Sequence, residues 1–152
     1  FASAALVDID DVPGAVDDGI ADDADLDALR ESFLASEWAA LTPVAVEVAV
    51  ETPVGGLTVR GRIDAVFQRV TPQGRRWDVV DWKTAEPSGA AAAKARAVQL
   101  AVYRLAWARL HGLPLDEVDA AFFYASTGRT VRPVGLLDEA GLEDLIRQAT
   151  RP

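Results

Sequence analysis

Residues 44–84 constrain the fold most, because three strand-like segments follow one another there with only short turns between them. The segment 44–52 alternates, with four valines expected on one face of a strand: Val44, Val46, Val48 and Val50. Segments 57–70 and 76–84 follow turns that contain proline and glycine. Strands this close in sequence leave no room for crossover helices, so we expect an antiparallel meander.

Helical and strand-like segments flank this meander. They predict helices at 24–41, 90–111 and 138–149 and strands at 118–125 and 129–134. The strand at 118–125 is nearly all apolar and is therefore expected at the centre of the sheet. The order α-β-β-β-α-β-β-α predicts an α/β (α+β) fold with a central mixed, largely antiparallel sheet flanked by helices.

The acidic residues are concentrated at the start of the chain. The formal net charge is −9, and in residues 1–31 ten acidic residues face only Arg30. We predict an acidic linker or partly ordered arm over 1–24 and a folded domain over 25–152. The paired aspartates of the arm lack the EF-hand spacing, so we interpret them as solvated rather than as calcium ligands. The chain begins at Phe1 and contains no methionine, which predicts a fragment of a larger protein.

Composition excludes several kinds of site. The absence of cysteine excludes disulfides, thiolate zinc sites and iron–sulfur clusters, and it fits the reducing cytoplasm, where we expect the protein. No apolar run approaches the roughly 20 residues that span a bilayer, so no membrane association is expected. Residues 60–109 hold ten basic and four acidic residues, which is compatible with a polyanionic partner. A solvated arginine-rich surface, or a plain acidic protein-interaction module, remains an alternative.

Three chemically active side chains fall on two neighbouring strands of the meander. Side chains at i and i+2 share a face, so Asp81 and Lys83 point the same way, and Asp64 faces away from both of its neighbours on the preceding strand. If the strands pair, Asp64 and Asp81 converge on one divalent cation, with the backbone carbonyl of Trp82 and waters as further ligands. Lys83 would then orient a water or stabilise negative charge on a phosphate. The alternative is a salt bridge between Asp81 and Lys83, with Asp64 in solvent.

Three short motifs together resemble a known family. They are Gly61-Arg62-Ile63-Asp64, then Val79-Val80-Asp81-Trp82-Lys83-Thr84, then Gln99-Leu100-Ala101-Val102-Tyr103. In this order and spacing they resemble the RecB-type branch of the PD-(D/E)XK nuclease superfamily, over roughly residues 26–150. In many bacteria such a domain ends a UvrD-like or RecB-like DNA helicase. The resemblance implies a restriction-endonuclease-like core, Mg²⁺ or Mn²⁺ as cofactor, Asp64 and Asp81 as metal ligands, and Lys83 as a catalytic residue.

The resemblance also implies roles for residues outside the two strands. Gln99 and Tyr103 are expected to face the site and to contact the DNA backbone or brace the metal ligands, and Arg96 is expected to join them. Without the resemblance, Gln99 and Tyr103 are an ordinary pair on a helix surface. Glu47 is a further candidate metal ligand; alternatively, Glu47 and Glu51 form the solvated face of an edge strand.

The expected function is hydrolysis of phosphodiester bonds by a metal-dependent deoxyribonuclease domain. Its expected partners are single-stranded DNA and helicase domains of the same chain or complex, in DNA repair and recombination. Active members of this branch usually have a histidine on an N-terminal helix, whereas the single histidine here, His111, is expected at the surface near a helix end. This departure motivates a second hypothesis, a catalytically degenerate nuclease fold that acts as a DNA-binding or interdomain scaffold.

Overall fold

The computed structural model of the chain describes residues 5–13, 15 and 23–149, which form a six-stranded sheet with helices on both faces. The strands are β1 (Ala5–Asp8), β2 (Ala45–Val54), β3 (Leu57–Thr71), β4 (Gly74–Lys83), β5 (Val118–Tyr124) and β6 (Arg129–Val131). The helices are α1 (Asp23–Leu34), α2 (Ala90–Leu110) and α3 (Glu139–Ala149), with short 3-10 turns at Ile9–Asp11, Glu37–Ala40 and Leu115–Glu117.

β3 organises the sheet, because three strands pair with it. β2 pairs antiparallel along one edge. The other edge is shared, since β1 pairs parallel with residues 57–60 and β4 pairs antiparallel with residues 65–71. β5 then pairs parallel with β4, and β6 pairs antiparallel with β5. The predicted fold class, a mixed and largely antiparallel sheet flanked by helices, is confirmed.

The two faces of the sheet carry separate apolar clusters. The main cluster lies under α2 and α3 and includes Ile63, Val66, Val79, Leu100, Leu105, Trp107, Phe122 and Leu142. The second cluster lies on the opposite face, towards α1, and includes Phe33, Trp38, Phe67, Val80, Trp82 and Phe123. The rings of Phe33, Trp82 and Phe123 meet edge to face, with the centroids of Phe33 and Trp82 5.2 Å apart.

α2 is the longest helix and supplies much of the main cluster. Its 21 residues are rich in alanine and leucine, which favour helix. The helix ends as predicted, because Gly112 has a φ of +63° and takes the left-handed conformation that closes many helices. None of the helices in the described ranges is long and apolar enough to cross a membrane.

The helix predicted at 24–41 is divided into α1 and a 3-10 turn. The hydroxyl of Ser36 donates a hydrogen bond of 2.6 Å to the carbonyl of Phe33, which competes with continuation of the helix. The turn then places Trp38 against the sheet, where it is only 1% exposed. The indole N–H of Trp38 donates to the hydroxyl of Thr130 at 3.0 Å. The break in the helix therefore accompanies the burial of this indole.

Part of the segment predicted as an acidic arm belongs to the sheet. Within residues 1–24, Ala5–Asp8 forms β1, and Asp8 pairs with Arg60 of β3 at 3.5 Å. A four-residue strand has little local signal, because its stability comes from the strand with which it pairs. The division of the chain at residue 25 stays a prediction.

The alternation predicted for residues 44–52 breaks at Glu47. Val48 packs on the main cluster together with Ala45, whereas Val46 is 58% exposed. Glu47 has a φ of +48°, a conformation that non-glycine residues seldom adopt. The alternation of side chains along β2 is therefore shifted by one residue at Glu47, so that Val46 and Val48 lie on opposite faces of the sheet. The prediction of four valines on one face is wrong.

A buried carboxylate in β4 ties three strands together. Asp78 is fully buried, and Arg69 of β3 donates to both of its oxygens, at 2.6 and 3.1 Å. Arg69 also donates to Asp119 of β5 at 2.7 Å, and Arg132 lies 3.2 Å from Asp78. A buried charge is costly without partners, so the burial of Asp78 depends on the guanidinium groups of Arg69 and Arg132.

We expect Arg69→Ala to lower the free energy of unfolding by about 3 kcal/mol, because it leaves the buried Asp78 with Arg132 alone. Urea denaturation measures this as a lower midpoint at unchanged slope. Arg75→Ala is the control, since Arg75 is exposed at the start of β4, next to the hairpin turn. Equal losses in the two variants would contradict a stabilising role for this ion pair.

Candidate active site

The edge of β3 that faces β1 and β4 is unpaired over the first sequence motif. β1 pairs with residues 57–60 and β4 with residues 65–71, so residues 61–64 lie in the gap between these two strands. A cavity of about 280 Å³ opens there. It is lined by Asp10, Ala15, Arg62, Asp64, Asp81, Trp82, Lys83, Gln99 and Tyr103. The structure thus brings together most of the site residues named from the sequence; Glu47 and Arg96 are not in this lining.

Asp64 points along the sheet towards β4. Its Oδ2 accepts a hydrogen bond of 2.7 Å from the backbone N–H of Trp82, just beyond the last paired residues, Ala65 and Val80. The N–H and C=O of one strand residue point to the same side, so the Trp82 carbonyl also faces this edge. The expectation that Asp64 faces away from both neighbours is wrong, because Ile63 and Ala65 themselves lie on opposite faces of the sheet.

Asp81 and Lys83 share a face, as predicted, and both are buried. Nζ of Lys83 lies 3.1 Å from Oδ2 of Asp81 and donates a hydrogen bond of 2.6 Å to the carbonyl of Ala15. Within the part of the chain that the structure describes, Oδ2 of Asp81 accepts no well-aligned hydrogen bond. Because the ion pair leaves this oxygen unsatisfied, it does not by itself account for the burial of Asp81.

Electrostatics couple the three side chains. Burial raises the pKa of Asp81 well above its ordinary value. The ammonium of Lys83 opposes this rise, whereas a hydrogen-bond contact with Asp64 and its negative charge add to it. Asp64 therefore contacts Asp81 rather than facing solvent alone. Two carboxylates this close repel each other unless a proton or a cation lies between them.

Asp10 is a site residue that sequence reasoning missed, because it was grouped with the solvated aspartates of the arm. It lies in the 3-10 turn after β1, and its Oδ2 accepts a hydrogen bond of 2.9 Å from the backbone N–H of Arg62. Burial raises the pKa of Asp10, while hydrogen bonds from Gln99 and Arg62 oppose the rise. A signal was present in the apolar residues around it, of which Ile9 is buried in the main cluster.

Gln99 and Tyr103 face the cavity from α2, as the resemblance implied, and both are about 1% exposed. Nε2 of Gln99 donates to Oδ1 of Asp10 at 2.9 Å and lies 3.1 Å from the hydroxyl of Tyr103. That hydroxyl also donates to Oδ1 of Asp10. The two side chains therefore brace a carboxylate, although this carboxylate is Asp10 and not a predicted metal ligand.

Arg96 and Glu47 lie outside this cavity. Arg96 is only 4% exposed; it donates to the carbonyl of Ala85 at 2.7 Å, and its guanidinium lies 5.8 Å from the centre of the Tyr124 ring. The expected contact of Arg96 with DNA stays a prediction, although α2 buries this side chain against the end of the sheet. Glu47 is exposed and lines a neighbouring groove that also reaches Asp64.

The residues of the cavity fit a hard divalent cation. Among the described residues, no three histidine, aspartate or glutamate side chains form a cluster that could hold a metal. Magnesium, however, is commonly bound through one or two carboxylates with several waters. Asp64 and Asp81 are in contact, and the unsatisfied oxygen of Asp81 is the buried polar atom that such a cation would satisfy. His111 is exposed and stacks on Trp107 at the far end of α2, so it is not near this site.

Comparison with known families agrees with this geometry. A family model described as the PD-(D/E)XK nuclease superfamily matches residues 9–151, which include every residue that lines the cavity. No curated protein matches the chain. The mixed sheet and its flanking helices are consistent with the restriction-endonuclease-like fold. The chain therefore belongs to the PD-(D/E)XK nuclease superfamily.

Proposed function

We propose that this chain is a divalent-metal-dependent DNA nuclease domain that hydrolyses phosphodiester bonds. The observation that carries the proposal is the meeting of Asp64, Asp81 and Lys83 around one cavity, where Oδ2 of Asp81 accepts no well-aligned hydrogen bond from the described residues. Membership of a superfamily of nucleases supports the same reaction. A purely structural ion pair would not need a second carboxylate, that of Asp64, in the lining of the same cavity.

In this proposal Asp64, Asp81 and the carbonyl of Trp82 hold Mg²⁺ or Mn²⁺. The chemistry that the bound cation supplies is polarisation of the phosphate and a lower pKa for a bound water. Glu47 is a further candidate ligand through the groove it shares with Asp64. Its strained φ of +48° supports a functional role, since such strain often accompanies functional sites.

Lys83 is the proposed catalytic residue. An ammonium has three N–H donors; the carbonyl of Ala15 takes one and the carboxylate of Asp81 attracts a second. The third can orient the attacking water or stabilise negative charge that develops on the phosphate. Burial strengthens this effect, because an ammonium that is only 5% exposed is little screened by solvent.

The proposed substrate is DNA, in single-stranded form, delivered by helicase domains of the same chain or complex during repair or recombination. Five of the ten basic residues between positions 60 and 109 are exposed and support a polyanionic substrate: Arg60, Arg62, Arg75, Lys94 and Arg109. Arg62 supports it further, because this exposed arginine lies on the rim of the cavity. The order of the three motifs supports the helicase connection through the resemblance to the RecB-type branch.

We expect Lys83→Ala to lower the rate of DNA cleavage by about 10² to 10³-fold, the usual cost of losing one group that stabilises transition-state charge. The measurement is cleavage of end-labelled single-stranded DNA by the full-length protein with Mn²⁺, and chelation of the metal should abolish it. Lys94→Ala is a matched control, because Lys94 is the only other lysine and is exposed on α2. Cleavage that persists in Lys83→Ala would defeat the assignment.

We expect Asp64→Asn to abolish the binding of one Mn²⁺ ion, because it removes a carboxylate from the pair that would share the cation. Isothermal titration calorimetry measures this directly. Glu47→Gln tests the further ligand in the same experiment, and Asp116→Asn, at an exposed position, is the control.

Calorimetry also separates the nuclease from the second candidate function, a degenerate fold that serves as a DNA-binding or interdomain scaffold. The absence of the family's N-terminal histidine from the described residues favours that candidate. A scaffold would show no single-site Mn²⁺ binding that depends on Asp64. Binding that Asp64→Asn removes would therefore speak against it.

A further inference from the structure

Three hydrogen-bond donors from two separate elements converge on the carboxylate of Asp10. Arg62 of β3 donates its backbone N–H, while Gln99 and Tyr103 donate their side-chain groups from α2. Convergence of this kind pins a carboxylate in one orientation. Since Asp10 lies outside all three sequence motifs, its contacts with two of them mark it as part of the site.

The arm around Asp10 is held by its own local contacts as well. The backbone N–H of Asp10 donates to Oδ1 of Asp8 at 3.0 Å, which fixes the start of the 3-10 turn. The N–H of Ala15 donates to the carbonyl of Val12 at 2.9 Å, which closes a second turn. Ala15 is fully buried and lines the cavity.

The Gly61 position of the first motif leaves room for this arm. A Cβ at Gly61 would lie 2.7 Å from Cγ2 of Ile9, 2.8 Å from Cε1 of Tyr103 and 3.2 Å from Oδ1 of Asp10. Real side chains do not approach that closely, so any larger residue would displace the arm or Tyr103. The glycine of the motif therefore allows Asp10 and Ile9 to pack closely against β3.

The arm in turn holds the proposed catalytic lysine. The carbonyl of Ala15 accepts a hydrogen bond of 2.6 Å from Nζ of Lys83, and the carboxylate of Asp81 lies on the other side at 3.1 Å. A lysine has four rotatable side-chain bonds, and two fixed partners restrict them far more than one. The direction in which the third N–H points depends on both partners.

We propose that Asp10 is a positioning residue: it anchors residues 8–13 and Ala15 on Gln99, Tyr103 and the backbone of Arg62, so that the Ala15 carbonyl aims the ammonium of Lys83 into the cavity. The catalytic consequence rests on the proposed nuclease function, whereas the restraint of Lys83 does not. Asp10 acts through Lys83 and need not touch the substrate. Its loss is therefore expected to lower kcat by about 10 to 100-fold, with little change in KM.

The direct test is nuclear magnetic resonance of the chain with ¹³C-labelled lysine, which places labels at only two positions, Lys83 and Lys94. A restrained Lys83 shows two separate signals for its ε-methylene protons, while the exposed Lys94 shows one averaged signal. Asp10→Asn should average the Lys83 signals, because its amide replaces one of the two acceptor oxygens with an N–H donor. Asp11→Asn is the matched control, one residue further along the arm and exposed.

A second variant guards against loss of folding in Asp10→Asn. Tyr103→Phe removes one donor to Asp10 and leaves the arm sequence intact, so it should free Lys83 in part, with circular dichroism unchanged. The inference would be overturned if the Lys83 signals were already averaged in the wild type, or if they were unchanged in both variants. Either result would count whatever the nuclease activity of the protein.

Kinetics then test the catalytic consequence. If Asp10 acts through Lys83, Asp10→Asn lowers kcat when Lys83 is present. In a Lys83→Ala background, the same substitution causes no further loss of kcat. A further loss in that background would overturn the positioning role, because it would show an effect independent of the lysine. The protein could also show no nuclease activity while Asp10→Asn releases a restrained Lys83. That result would support the positioning role of Asp10 and refute the proposed nuclease function.

Discussion

The interruption of pairing along one edge of β3 is the constraint on which the site depends. β1 leaves this edge after residue 60, and β4 joins it only at residue 65. Backbone groups in a gap need partners from elsewhere, since unpaired buried groups are costly. Asp10 supplies one for the N–H of Arg62, and Asp64 supplies one for the N–H of Trp82. The need of these two N–H groups for acceptors thus fixes the carboxylates of Asp10 and Asp64 beside the cavity.

The kink in β2 and β3 explains how Asp64 reaches that edge. Glu47 has a φ of +48°, which costs a non-glycine residue on the order of 1–2 kcal/mol. Between Ile63 and Ala65, β3 makes the matching change of face, and the register between the two strands is kept. The change turns Asp64 out of the usual alternation and into the plane of the sheet. The strain of Glu47 is therefore coupled to the placement of Asp64.

Local patterns predicted the elements and part of the site. Alternation and apolar runs placed β3, β4, α2 and β5 to within two residues, because burial on one or both faces dictates these patterns. The period of two also paired Asp81 with Lys83. It failed at Asp64, because the rule assumes regular φ and ψ and the kink opposite Glu47 breaks that regularity.

Features that depend on distant contacts could not be predicted in the same way. β1 is a four-residue segment in a stretch rich in aspartate and alanine, and its pairing with β3 makes it a strand. Asp10 resembles its acidic neighbours in sequence, and its hydrogen bonds with Arg62, Gln99 and Tyr103 distinguish it. Arg96 has the spacing of a surface residue, but the carbonyl of Ala85 and the ring of Tyr124 hold it inside.

The acidic arm is compatible with a DNA substrate, because Asp8 and Asp10 in it have partners within the protein. A net charge of −9 would suggest repulsion of a polyanion if all the acids faced solvent. In the described part of the arm, however, Asp8 pairs with Arg60, and Asp10 is enclosed by hydrogen-bond donors. In the proposed site, Asp64 and Asp81 would hold a divalent cation, which would also neutralise the charge of a phosphate. The negative charge near the site thus favours the cation, and the cation in turn favours DNA.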